Sequence, residues 1–574
     1  MGARPKQKSD PVGLETSGGY TMKLVKSLLL GSAAGLAVVG GAQAADLPVK
    51  KAVPIEYVRV CTAYGAGFFY IPGTDTCLRV SGRARAEYGY IGTDNRNVPG
   101  GGDISGFTGL ARFNFDARTQ TGYGTLRAFL RLDAASRTGN TKYSSGTNLR
   151  GAYAFSGTGQ DQLGRVQNFI NVDKAFVQFA GLTAGRASSF FDFYAHDFEI
   201  IGSSLGSDLP STNLLAYTQK FGEGWSVTLS MEDPNYRKNP LYSDAAGSTA
   251  LVPGQAGLNN VFTTAPTPII LGTNAAGNAT AVAFIDAVQR SRLPDFVGSL
   301  RYDAAWGSAQ LSAAVKDINT GGFIAGSSIG VPGTGAALAG NTAAALAARG
   351  INAGAQTEYG WAIQGGMKFN LPFIAPGDGL YLQGAYGEGA SFYTGINRFT
   401  AGYLSNASVY AGNPFNQYLS DAIVNPLTGR IELSNSFTAV ASYLHYWSPE
   451  WRSAFYASYG EIWFSQGARQ AVSQANSVVG AASTVAPPSY LTNAVGYSLS
   501  PALRDTYQVV TGASLIWSPV KDLDIGVEGQ YIKTGVKNGR VSDSDKGGFV
   551  NNIPTRTVSS EDVFQARFRV QRDF

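Results

Sequence analysis

The chain is poor in the residues that most often carry chemistry. Its 574 residues include only two cysteines, two histidines and four methionines. Zinc needs about four N, S or O ligands at close spacing. His196, His445 and the Cys61/Cys77 pair lie in separate parts of the sequence, so no metal site and no cofactor is expected. A lone histidine is usually structural. Neither histidine accompanies a recognisable nucleophile arrangement, and no enzyme is expected. Charge is also scarce, at 15% of residues against about a quarter in a soluble domain. The net charge of +5 is not gathered into a basic run, so nucleic acid is not an expected partner. Beyond residue 44 there is no apolar run of about 18 residues, which excludes a transmembrane helix but not a membrane-spanning strand.

What the chain does contain begins with an address. Met22–Ala44 reads MKLVKSLLLGSAAGLAVVGGAQA, with Lys23 and Lys26 ahead of a short apolar core and an Ala-Gln-Ala site at its end. That is a secretory signal peptide, with the mature chain expected to start at Ala45. Residues 1–21 precede a complete signal and read as a spurious extension ahead of the true start at Met22. Export leads to an oxidising compartment, where an even cysteine count favours a disulfide over two free thiols. A Cys61–Cys77 bridge would close a short loop and contribute about 3 kcal/mol in the chain-entropy model. Residues 45–77 would form a small stapled segment before the main fold.

The 72 glycines, 29 tyrosines and 31 phenylalanines fit two classes: a secreted soluble β-protein or an outer-membrane barrel. Leu78–Tyr90 alternates without a break. Leu78, Val80, Ala84, Ala86, Tyr88 and Tyr90 share one face, and Arg79, Ser81, Arg83, Arg85 and Glu87 share the other. Similar segments recur near 108–118, 124–135, 168–180, 182–189, 213–221, 225–232, 295–304, 308–317, 358–370, 379–388, 435–447, 451–464, 505–517, 522–533 and 562–574. With the first they make about sixteen strands, an even number as in bacterial barrels. Tight links such as 222–224 and 518–521 alternate with long ones such as 233–294 and 318–357, which read as structureless, the Ala-rich run 336–348 included. Short turns at one end and long loops at the other are the pattern of an outer-membrane barrel, and soluble domains rarely carry so many long loops. Trp447, Trp451 and Trp517 sit at tight turns, where indoles form the periplasmic aromatic girdle. The last strand ends on Phe574, and pairing it with the first would remove both sheet edges.

Several stretches are long enough to be diagnostic: KSLLLGSAAGLAVVGGAQAAD, PIEYVRVCTAYGAGFFYIPGTDTCLRVSG, AFVQFAGLTAGRASSFFDFY and LAYTQKFGEGWSVTLSMEDP. Together they resemble the general porins of Rhizobiales, over about residues 45–574 and least in the long loops. The resemblance implies an all-β transmembrane barrel over 78–574 in a Gram-negative outer membrane, assembled as a homotrimer amid lipid and lipopolysaccharide. It implies a disulfide-bonded Cys61–Cys77 feature on the periplasmic side, and a terminal Phe574 read by the barrel assembly machinery. It implies passive diffusion of ions and small hydrophilic solutes through a water-filled pore.

In that family the third external loop folds into the lumen. Here that loop spans 190–212 and carries Asp192, Asp197, Glu199 and Asp208. The polar faces of the early strands carry Arg83, Arg85, Arg112, Arg127 and Arg131. Acids facing arginines would set a transverse field across the constriction, and arginine keeps its charge in almost any surroundings. The competing role for these arginines is to pair with Asp116 or Asp133. The competing role for the whole protein is an adhesin, structural barrel or phage receptor acting through its long loops.

Overall fold

A computed structural model describes residues 59–92, 104–138, 167–209, 211–239, 241–242, 267–273, 279–322, 342–396, 420–472, 503–539, 541–542, 549–550, 553–554 and 557–574. The signal segment lies outside them. Val60–Phe574 forms one compact unit. Its main sheet has seventeen strands; setting aside the two-residue strand Phe69–Tyr70 leaves sixteen in the barrel. In chain order these are β1 (Cys77–Ile91), β2 (Ser105–Thr121), β3 (Gly124–Arg137), β4 (Gln167–Phe179), β5 (Leu182–Ala187), β6 (Thr212–Phe221), β7 (Trp225–Glu232) and β8 (Asp295–Ala304). They continue as β9 (Gly307–Asn319), β10 (Thr357–Asn370), β11 (Gly379–Glu388), β12 (Asn435–Tyr446), β13 (Trp451–Trp463), β14 (Thr506–Val520), β15 (Leu523–Val536) and β16 (Ser560–Asp573).

Every strand pairs antiparallel with its sequence neighbour, and β16 pairs with β1 from Arg83↔Asp573 to Ile91↔Gln565. The ladder therefore has no edge, the condition for a sheet in hydrocarbon. The outer face is the apolar one: Val80, Phe113, Leu311, Met367, Val527 and Phe568 are all exposed on the isolated chain. Several strands run beyond their alternating stretch. β2 starts at Ser105 and β15 ends at Val536, because backbone pairing continues past the apolar band where no face has to be greasy.

The short-turn end carries a belt of rings. Trp225 stands 4.7 Å from Tyr302, Tyr302 6.3 Å from Trp306, and Trp306 5.6 Å from Phe369. Trp451 and Trp517 stack at 5.7 Å across directly paired positions. Cys61 and Cys77 are disulfide-bonded on the same side, packed with Phe68 and covered by Tyr64 and Tyr70. The guanidinium of Arg118 lies 5.0 Å from the Phe68 ring and so ties the stapled segment to β2.

The long loops are not structureless. Thr267–Thr273 and Ala279–Ile285 form a hairpin, and Leu241–Tyr242, Ala422–Val424 and Ile431–Leu433 form a three-stranded sheet. Thr342–Ala348 is a helix where a loop was expected; alanine is the strongest helix former, and Leu346 gives the turn a buried anchor. Leu241, Ile269, Ile285, Ile318, Leu346, Ile351 and Val424 pack into one apolar cluster. Such scattered residues have no period, which is why the sequence pattern passed over them.

Closure depends on one small residue. Gly82 N–H donates to the main-chain carboxylate oxygen of Phe574 at 2.8 Å, and Phe574 N–H returns to Gly82 O at 3.1 Å. A β-carbon on Gly82 would collide with both the Phe574 ring and the Arg112 carbonyl. Gly82→Ala should therefore lower barrel stability by about 1–3 kcal/mol, as overpacking does. Heat-modifiable gel migration of the refolded barrel measures this; an unchanged unfolding temperature would contradict it.

Candidate functional site

The lumen is narrowed from one side. β5 has only six residues, while its neighbour β4 has thirteen. The chain thus leaves the wall part-way up, at Ala187, and returns at Thr212, so the segment between starts inside the barrel. Its backbone is satisfied by wall side chains. Gln364 donates to Phe191 O at 2.9 Å, and Gln383 accepts from Tyr194 N at 3.0 Å. Ser458 accepts from Leu205 N at 2.9 Å. The Glu528 carboxylate accepts from Ile200 N at 2.6 Å and Ile201 N at 2.9 Å, and from Tyr456 Oη at 2.8 Å. Irregular backbone at this depth is tolerated only where protein or water satisfies it. Tyr194 and Phe198 pack on Tyr381, at 4.8 and 5.1 Å between ring centres.

A cavity of about 550 Å³ remains between this loop and the wall. Arg83, Arg85, Arg112 and Arg131 line it from β1, β2 and β3, and Asp197, Glu199 and Asp208 line it from the loop. Arg83 Nε donates to Asp573 at 2.6 Å, and Arg112 Nε to Asp133 at 2.7 Å. Arg131 Nε donates to Asn114 at 2.9 Å, and its Nη1 lies 3.4 Å from Asp173. Arg85 makes both its hydrogen bonds, at 2.8 and 3.0 Å, to the neutral amide of Gln571. Its nearest carboxylate, Glu87, is 4.0 Å away and is also held by Arg569 at 2.6 Å.

Two of the expected residues stand elsewhere. Arg127 is four residues closer to the short turn than Arg131, about 13 Å along a strand. It donates to Asp116 at 2.9 and 3.0 Å and to Gln178 at 3.0 Å, which is the competing pairing role. Asp192 is buried against Arg237, at 2.7 Å, and accepts from Leu209 N at 2.7 Å, so it anchors the loop base. Lys174, Arg452 and Arg569 line the cavity without having been singled out. Arg569 was legible as a polar-face residue of the last strand. Arg452 directly follows a girdle tryptophan, and Lys174 breaks the alternation, so neither carried a signal.

His196 sits on the loop in a left-handed conformation with φ 56°. Its Nδ1 lies 2.9 Å from Asp208 and its Nε2 2.8 Å from the Ser204 carbonyl. Two acceptors on one ring fit an imidazolium, which donates from both nitrogens. Contrary to the expectation that no nucleophile motif accompanies either histidine, Gly202–Gly206 reads GSSLG and gives Ser204 the spacing of a hydrolase nucleophile. The geometry is not that of a triad: Ser204 Oγ donates to Glu199 at 2.5 Å, and His196 meets only the carbonyl oxygen. Ser204 is fully buried, so no substrate can reach it.

The family model described as "Porin subfamily" matches residues 46–560. The porin Omp2b of Brucella suis is 34% identical over 295 residues, covering 50% of this chain and 64% of the relative. The porin Omp2a of Brucella ovis is 38% identical over 218 residues, covering 36% of this chain and 59% of the relative. The chain thus spans less than two thirds of the length of these relatives. The crystal structure of the outer-membrane channel DcaP of Acinetobacter baumannii aligns at TM-score 0.45 and 14% identity, over 88% of this chain and 99% of that one.

Burial alone would lower the pKa of His196, but the charge of Glu199 and the bonds to Asp208 and Ser204 outweigh it and raise it from 6.5 to about 9. A raised pKa means that the ring stabilises the fold fully below about pH 6.5 and loses that contribution as pH rises through about 9. His196→Asn tolerates the left-handed backbone. Its thermal midpoint should trail the native protein most at pH 6 and converge with it above about pH 9. A gap that stays constant across that range would rule out the charged ring.

Proposed function

The chain belongs to the porin subfamily, and from that premise we propose that it forms a water-filled passive-diffusion channel for ions and small hydrophilic solutes in the outer membrane. A sixteen-stranded barrel is wide enough to hold water once its interior is not packed. The observation that carries the reading is the cavity at the loop: Arg83, Arg85, Arg112 and Arg131 on the wall, and Asp197, Glu199 and Asp208 on the inward loop. A charged, wet constriction selects by width and field rather than by chemistry. Ordered water in such a field disfavours apolar solutes, which cannot replace it. Arg127 and Asp192 serve the same zone from outside the cavity, one through Asp116 and one by anchoring the loop.

The same reading assigns residues 22–44 to export and Ala45 to the mature terminus. It places the Cys61–Cys77 segment on the periplasmic side and makes Phe574 the residue offered to the assembly machinery. The working unit is a homotrimer surrounded by lipid and lipopolysaccharide. A second role in surface binding, to a host or a phage, draws support from the packed apolar cluster of the long loops, which gives that end a folded platform.

Planar-bilayer conductance of the detergent-extracted protein in a salt gradient tests the channel. Stepwise ohmic insertion, closing in three equal sublevels, is the expected outcome. Replacing Arg83 and Arg85 together by alanine removes Arg85 and strands Asp573, so the cation-to-anion permeability ratio should rise roughly severalfold. An unchanged reversal potential would remove these arginines from the selectivity zone.

A further inference from the structure

The wall holds one feature that period-2 alternation forbids. β3 and β4 pair Arg131 with Lys174 and Leu132 with Val172, so Asp173 is an extra residue in β4. A bulge of this kind re-aims side chains, and here Asp173 and Lys174, consecutive in sequence, both reach the lumen cavity. The bulge also sets Lys174 directly opposite Arg131. Like charges across an antiparallel pair repel, so such a pair needs a countercharge.

The protein supplies too little. Asp173 Oδ2 lies 3.4 Å from Arg131 Nη1 and 3.7 Å from Arg112 Nη2. Arg112 has its own partner in Asp133 at 2.7 Å. Lys174 Nζ donates to Ser188 Oγ at 2.5 Å, and among the described residues no carboxylate makes an ion pair with it. Arg112 and Arg131 thus share Asp133 and Asp173, while Asp208, the loop acid that also faces Lys174, is engaged by the His196 ring at 2.9 Å, so no carboxylate is given over to Lys174 alone. Donors are left as well. Lys174 has two further N–H groups, and Arg131 uses Nε and Nη1 but not Nη2. Ser188 opens the inward loop, so this spot lies on the seam between loop and wall that a solute must pass.

We propose that Arg131 and Lys174 form an oxyanion subsite in the constriction, where the carboxylate or phosphate group of a permeating solute docks in transit. The subsite rests on the channel reading. A carboxylate or phosphate brings two or more oxygens, so one can accept from the guanidinium edge while another accepts from the ammonium, a bidentate geometry that a single spherical chloride does not match.

The test is single-channel current through the full protein in potassium chloride, titrated at constant pH and ionic strength with inorganic phosphate and, separately, with acetate. Either anion should depress the chloride current in the native pore. Lys174→Gln should raise the half-blocking concentration about tenfold, the equivalent of one charge-assisted hydrogen bond. Lys174→Arg should restore it, which separates lost charge from lost folding. A shift seen with phosphate alone assigns the subsite to phosphoryl groups; a shift with both assigns it to oxyanions in general. Open channels that titrate identically in native and Lys174→Gln protein, or that neither anion blocks, would overturn the subsite while leaving the channel intact. Folded protein that never conducts would overturn the channel and the subsite with it.

Discussion

The structure depends first on a backbone constraint. Hydrocarbon offers no hydrogen-bond partners, so each peptide group of a spanning strand must find one in its neighbour. A sheet meets that demand only by closing, and closure here is made by the two most distant parts of the fold, β1 and β16. The side chains then have little freedom. One face must be apolar for lipid and the other polar for water, and period 2 follows along every strand. Gly82 is where the constraint is tightest, since the chain terminus must lie flat on β1 to finish the ladder.

Closure at sixteen strands creates the next problem, a lumen too wide to fill with wall side chains. The protein narrows it with backbone. A loop crossing a lumen brings in its own amides and carbonyls, and each needs a partner. This explains the buried Gln364, Gln383 and Glu528 on the wall. They serve as receptors for the loop rather than as a generic polar lining. The buried Asp192–Arg237 pair does the same at the loop base. Breaking a buried pair of this kind leaves an uncompensated charge, so the loop is held at both its base and its tip.

The sixteen strands were legible because bilayer and water write a two-residue period into each one. The strand ends were not, since pairing continues at Ser105 and Val536 after the period has stopped. The apolar cluster within the long loops was hidden for the same reason: Leu241, Ile269 and Leu346 meet through tertiary packing that no local pattern encodes. In the candidate site, parity tells which face a residue takes but not its height along the strand. Arg127 and Arg131 share a face and differ by about 13 Å, so one meets Asp116 and the other the cavity. Lys174 failed on parity itself, because a bulge shifts the count by one.

The pairing pattern also changes what the arginines mean. Arg83, Arg112 and Arg127 each hold a carboxylate within 3.0 Å, so they bring directed donors to the lumen but little net charge. Net charge comes from cations whose partners are neutral or shared: Arg85 on the amide of Gln571, and Lys174 on the hydroxyl of Ser188. On the other side, Glu199 accepts from the neutral donors of Tyr194, Ser203 and Ser204 and has the His196 ring as its cationic neighbour, while Asp197 and Asp208 stand on the same loop. The field across the constriction is therefore set by a few under-compensated groups, not by the number of arginines on the wall. Counting charged residues in the sequence overstates the positive side, since most of that charge is already cancelled within the sheet. What survives is a small excess at two points of the wall facing a small excess on the loop, and a passing ion responds to that difference.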